Sequence, residues 1–113
     1  MVRMSRAEQL QNASRLWEEH LRAVFPAGLR GVEPAGIDMV LLDASVAGCV
    51  STWLNNAGSL DPARSRILQA GIEDLDRVLL EITEAQELRY FQRLRQLAVL
   101  VSAASRAATR EGF

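Results

Sequence analysis

The chain has 113 residues, 49% of them hydrophobic, so it is long and apolar enough to bury a core without metal or disulfide support. Thirteen basic residues against fourteen acidic ones give a net charge of -1, and with a pI near 5.8 this excludes a global attraction to nucleic acid or anionic lipid. The single cysteine, Cys49, cannot form an intramolecular disulfide, and Cys49 with the single histidine, His20, falls short of the roughly four ligands of a structural zinc site.

Every basic residue is arginine, which codon bias in a GC-rich genome explains more simply than arginine chemistry does. The first residues, MVRMSRAE, lack the apolar stretch of a signal peptide. The most apolar segment, Ile37 to Leu54, is interrupted by Asp38 and Asp43 and diluted by Ser45, Gly48, Ser51 and Thr52, so it does not read as a membrane span. With the cysteine usage, these features predict a cytoplasmic protein.

A first helix is predicted over residues 6–24. Ser5 and Glu8 have capping-box spacing, Leu10, Ala13, Trp17, Leu21 and Val24 form one apolar stripe, Glu18 and Arg22 pair on the wet side, and Pro26 ends the helix. His20 stands at the edge of this stripe, which predicts a half-exposed histidine near a helix C-terminus. Residues 25–37, with two prolines and three glycines, read as a crossover loop tacked to the bundle by Phe25, Leu29, Val32 and Ile37.

The second helix is predicted over 38–56, with Asp38 as N-cap and Gly58 as the stop. Its only internal charge is Asp43, which falls on the same side as Met39, Val46, Val50, Trp53 and Leu54. An unpaired buried carboxylate costs several kcal/mol, so Asp43 is expected to be neutralised, hydrogen-bonded or paired, with Arg22, Arg64 and Arg95 as the partners in reach. The opposite side collects Ala44, Ser45, Gly48, Ser51, Thr52 and Asn55, a seam of small side chains that admits close approach of another helix.

A third helix follows over 62–82, with Asp61 as N-cap and Pro62 at the first helical position. Its stripe is Ile67, Leu68, Ile72, Leu75, Val78, Leu79 and Ile82, with Glu73–Arg77 and Arg77–Glu81 pairs outside. Extending that stripe would place Arg89, Arg93 and Gln96 in the core, whereas Leu88, Phe91, Leu94, Leu97, Ala98 and Val101 continue on a rotated face. A break near Ile82–Glu84 is therefore predicted, with Thr83 and Gln86 as capping box and a fourth helix over 84–105 whose Ala-rich end frays. The whole reads as one all-α domain of residues 1–113, a compact bundle of about four helices with a long loop between the first two.

Several chemistries are missing. One histidine cannot furnish the paired Glu-x-x-His motifs of a di-iron bundle, the glycines at 28, 31 and 36 lack a phosphate-loop context, and no serine or cysteine sits in a nucleophile elbow. No cofactor, metal ligand or catalytic group is assigned. Arg89 and Arg93 lie one turn apart on a locally basic face that reads either as a docking surface or as a solvated face answering Asp74 or Glu81; the second is favoured because that face shows no stacking aromatic.

Three functional readings follow. In the first, the chain is a non-enzymatic interaction or regulatory protein that self-associates through helix two, or meets another protein there. In the second, it is a small-ligand-binding bundle or enzyme with Asp43 in a buried pocket near Trp53, Trp17 and His20. An antitoxin- or immunity-like inhibitor is a third, suggested by small size and mild acidity alone. Membranes and nucleic acid are not expected partners.

Overall fold

The computed structural model describes the backbone of residues 4–111 and the side chains of residues 4–106. Four α-helices are found among the described residues and no strand: α1 (Arg6–Arg22), α2 (Met39–Asn55), α3 (Pro62–Leu79) and α4 (Ala85–Glu111).

Each helix starts where a side chain satisfies its free N–H groups. The Ser5 hydroxyl accepts from Glu8 N at 3.1 Å while Glu8 accepts from Ser5 N at 3.0 Å, a complete capping box. Asp38 and Asp61 accept from Leu41 N and Arg64 N, and Pro62 supplies a pre-set φ at the first turn of α3. At α4 the cap is Glu84, not the predicted Thr83–Gln86 box: its two oxygens accept from Gln86 N at 3.1 Å and Glu87 N at 2.8 Å. Those two N–H groups hold the Glu84 carboxyl below its ordinary value of 4.5, and Arg89 adds to the effect.

α2 ends in a left-handed turn. Gly58 N reaches back to Trp53 O at 2.8 Å, with Ala57 at φ 52 and Gly58 at φ 90, and Arg6 ties the turn to α1 by donating to Ala57 O at 2.7 Å. The connection between α1 and α2 holds two single 3-10 turns, Ala27–Leu29 and Pro34–Gly36, and only Leu29 of it is fully buried; Val32 is exposed, so it is not one of the tacks.

α4 is the post around which the bundle is built. Phe91, Leu94, Leu97, Ala98 and Val101 are entirely buried, and α4 packs against α1, α2 and α3. At about 1.5 Å per residue it is about 40 Å long, which accounts for the 44 Å long axis of the molecule. It runs on through Glu111 where fraying after Ser105 was expected, because alanine is the strongest helix former and no breaker precedes Gly112. α2 adds Met39, Val46, Val50 and Trp53 to the core, and α3 adds Leu68, Leu75 and Val78. α2 and α3 meet at Gly71, where a Cβ would stand 2.7 Å from Val46 Cγ2.

The α1 stripe is rotated from its predicted face, whereas the α3 stripe keeps Leu68, Ile72, Leu75, Val78 and Ile82 inside. On α1 the buried residues are Ala13, Leu16 and His20, while Leu21 and Val24 point to solvent. On α3 Ile67 is exposed, and Arg77 meets Asp74 rather than Glu73 or Glu81. None of the arginines expected to answer Asp43 does so: Arg22 meets Glu18, Arg64 meets Asp61, and Arg95 meets Asp76 at 2.6 Å.

Candidate functional site, a polar cluster behind a charged cleft

The Asp43 carboxylate is the centre of a three-helix cluster. Its Oδ1 lies 2.9 Å from His20 Nε2 of α1, and its Oδ2 accepts from the Tyr90 hydroxyl of α4 at 2.8 Å. An ionised carboxylate only accepts, so the geometry calls for the tautomer with a proton on Nε2. His20 and Tyr90 are each 6% exposed, and the Asp43 side chain 19%. His20 is therefore an interior residue rather than the half-exposed one expected, because Asp43 gives its ring a polar partner inside. Its Nδ1 is buried without a hydrogen-bond partner.

Rings pack around the cluster. Trp17 stacks on His20 at 6.0 Å and 26°, Tyr90 lies 4.9 Å from His20, and Phe25 meets Tyr90 edge-on at 5.7 Å. Of the four residues predicted around a pocket, the fold thus brings together Asp43, His20 and Trp17. Trp53 belongs elsewhere: it lies ten residues further along α2, about 15 Å away, packed near the Gly58 turn.

Tyr90 is the residue sequence reasoning passed over. As the sole tyrosine, next to the α4 stripe, it carries a hydroxyl on a side chain long enough to reach a carboxylate on another helix. Burial first, then the hydrogen bond and charge of Asp43, push its phenol well above the ordinary value of 10.0. The Arg93 guanidinium reaches back over its ring at 5.9 Å, though Tyr90 itself is buried and the basic face shows no exposed aromatic among the described residues.

The outer side of Tyr90 faces a cleft of about 430 Å³ between the chain leaving α1, with Val24 and Pro26, and the first turns of α4. Glu84, Glu87, Arg89 and Arg93 bring charge to it. A wider depression of about 610 Å³ lies between Met4, Leu79 and the second half of α4; its arginine, Arg95, is held by Asp76.

Two other predicted features have definite places. The seam of α2 is on the outside of the bundle: Ala44, Ser45, Gly48 and Asn55 are exposed, Ser51 and Thr52 half-buried, and the Thr52 hydroxyl donates to Gly48 O at 2.9 Å. Cys49 is turned inward, 3% exposed, with burial raising its thiol above the ordinary value of 9.0, so it is no ready nucleophile. Among the described residues no three His, Cys, Asp or Glu side chains gather as a metal site, and no helix is long and apolar enough to cross a membrane.

The cluster's chemistry is that of a clip. Asp43 uses one oxygen on each neighbour, and the Tyr90 proton is committed to it, so three helices remote in sequence are fixed in one register. No protein-family model matches the chain, and no curated protein or solved structure matches it either.

Proposed function

We propose that this chain is a helical interaction module that pairs with a second copy of itself through the outer face of α2. The observation that carries this reading is an exposed helix face without a charge. From Met39 to Asn55 the only ionisable side chain besides the buried Cys49 is Asp43, and it turns inward to His20 and Tyr90. α1 and α3 instead line their outer faces with pairs such as Arg15–Glu19 and Arg77–Asp74.

The face is also self-complementary. Leu41, Ala44, Gly48, Ser51 and Asn55 follow the alternating three- and four-residue spacing of a helix-pairing seam, and Leu41 is 65% exposed. Gly48 stands at its midpoint, and a Cβ built there meets nothing within 4 Å. In an antiparallel two-fold pairing, Gly48 faces Gly48, Ser45 faces Ser51, Ala44 faces Thr52, and Leu41 faces Asn55. The small residues let the two backbones approach, and the serine hydroxyls have partners across the axis. A charged partner would find nothing here to pair with, which favours a second copy.

A single helix pair of this length buries less than the roughly 1,200 Å² at which stable interfaces begin, so the expected dissociation constant is of micromolar order. Sedimentation equilibrium over a wide concentration range tests this. Gly48→Arg, placed where the protomer makes no contact, is expected to give a folded monomer with unchanged circular dichroism. A wild-type chain still monomeric at about 1 mM, or a Gly48→Arg dimer as tight as wild type, would sink the reading.

A further inference from the structure

The cleft beside Tyr90 holds four charged side chains, and they are not equally engaged. Glu84 spends both oxygens on the first N–H groups of α4 and feels the charge of Arg89. Glu87 and Arg93 are different. The Glu87 carboxylate is half-buried, packed over Gly28, and accepts no hydrogen bond from any described residue. Arg93 is half-buried against the Tyr90 ring, and its Nε is enclosed without an acceptor. Neither belongs to an ion pair with a described residue, and they do not reach each other.

An enclosed guanidinium N–H without an acceptor costs about as much as a lost charged hydrogen bond, whereas the Glu87 oxygens are not enclosed and are open to a donor arriving from the cleft. A ligand that engages both brings an anion to the outer nitrogens of the Arg93 guanidinium and a cation to Glu87. The charges of the cleft cancel, so its field favours no net ion, but it favours a molecule that carries both signs at its two ends. Val24 and Pro26 offer apolar wall beside the Tyr90 ring, and a volume of about 430 Å³ lies in the ordinary range for small-molecule sites.

We infer that this cleft is a binding site for a small amino-acid-like zwitterion, its carboxylate on Arg93, its ammonium on Glu87, and its side chain against Val24 and Pro26. This site is separate from the outer face of α2 and stands or falls independently of self-association. The Asp43 cluster contributes by fixing Tyr90, and through Tyr90 the position of the Arg93 guanidinium.

Titration of the isotope-labelled full-length chain followed by amide resonances tests the inference, with L-leucine and L-alanine as probes. Isocaproate and isoamylamine, which match leucine without its ammonium or its carboxylate, serve as the comparison. The expected result is a saturable shift of the Val24, Glu87, Tyr90 and Arg93 amides with an amino acid, and binding at least about tenfold weaker for both analogues. Glu87→Gln and Arg93→Gln, each checked for native circular dichroism, are each expected to weaken amino-acid binding by about tenfold. The inference is overturned if neither amino acid perturbs these amides at about 10 mM, if isocaproate binds as well as leucine, or if a folded Glu87→Gln chain binds leucine unchanged.

Discussion

Replacing Asp43 with alanine removes the acceptor shared by two buried donors. The Tyr90 hydroxyl and His20 Nε2 each lose their short contact, at 2.8 and 2.9 Å, and both residues are too enclosed for bulk water to substitute freely. Each orphaned donor costs about 1–3 kcal/mol. Moving the imidazole proton to Nδ1 lets Nε2 accept from the Tyr90 hydroxyl 3.5 Å away but leaves the Nδ1 proton enclosed without a partner, so the sum is expected at about 2–4 kcal/mol. Asparagine behaves differently: its carbonyl accepts from Tyr90 and its amide donates to the retautomerised Nε2, which leaves the enclosed Nδ1 proton as the one orphaned donor and the loss at about 1 kcal/mol. For a domain of this size, about 4 °C of Tm corresponds to each kcal/mol, so Asp43→Ala should lower Tm by about 8–16 °C and Asp43→Asn by about 4 °C. Urea and thermal unfolding followed by circular dichroism give both values. A double-mutant cycle with Tyr90→Phe should show coupling of at least about 1 kcal/mol, because the alanine background leaves the phenol only its longer 3.5 Å contact with His20 Nε2. Equal losses for alanine and asparagine, or an alanine variant within about 0.5 kcal/mol of wild type, would refute the clip.

Tyr90 is the only tyrosine, so phenolate absorbance reports it alone. Its phenol is held above the ordinary 10.0 in the folded state, so the stability it contributes is complete below pH 10.0 and declines as pH rises beyond it. The absorbance change should therefore coincide with alkaline unfolding; a phenol that titrates near 10.0 in a chain still helical would contradict the burial. Gly71→Ala sets a methyl 2.7 Å from Val46 Cγ2, and the overpacking, about 1–3 kcal/mol, should exceed the gain of about 1 kcal/mol in helix propensity. Adding Val46→Ala should relieve the clash, so non-additive unfolding free energies are the expected readout. Ala57→Gly removes a left-handed alanine from the turn after α2 and should raise stability by about 0.5–1 kcal/mol, measured as an increase in Tm.

The helices and their starts were legible because they depend on local rules. Ser5 with Glu8, and Asp61 with Pro62, state a helix N-terminus within four residues, and the phase change between Leu79 and Leu88 marks a break that no glycine or proline announces. Asp43 was legible as an oddity, since a lone carboxylate on an apolar face demands a partner. Its actual partners were not, because they depend on how three helices are rotated against one another. Leu21 and Val24 extend a plausible stripe on α1, yet the face that turns inward is the one carrying His20. Once a buried carboxylate is available, a histidine is the better core residue on that side, and periodicity weighs only hydrophobicity. Arginines were favoured as partners on charge alone, but each had an acid nearer on its own helix or the next one. Arg93 was misjudged for a related reason: its side chain folds back three residues to Tyr90, a contact invisible when the exposed face is read without its neighbours.

The place of α4 in the bundle has a consequence for how the chain folds. α2 and α3 are sequence neighbours that pack directly, as are α3 and α4, so those pairs close short loops. α1 has its main contact with α4, across most of the chain, and buries only Ala13, Leu16 and His20 in doing so. On a ribosome, α1 emerges before the other three helices but has only its smaller contact with α2 to settle on until α4 has been made, so its docking is completed last. The same arrangement makes α1 the segment that detaches first from the folded protein. Its amides should exchange with solvent faster than those of Leu94 and Leu97, and each detachment dismantles the His20 contact and the Val24 wall of the cleft together.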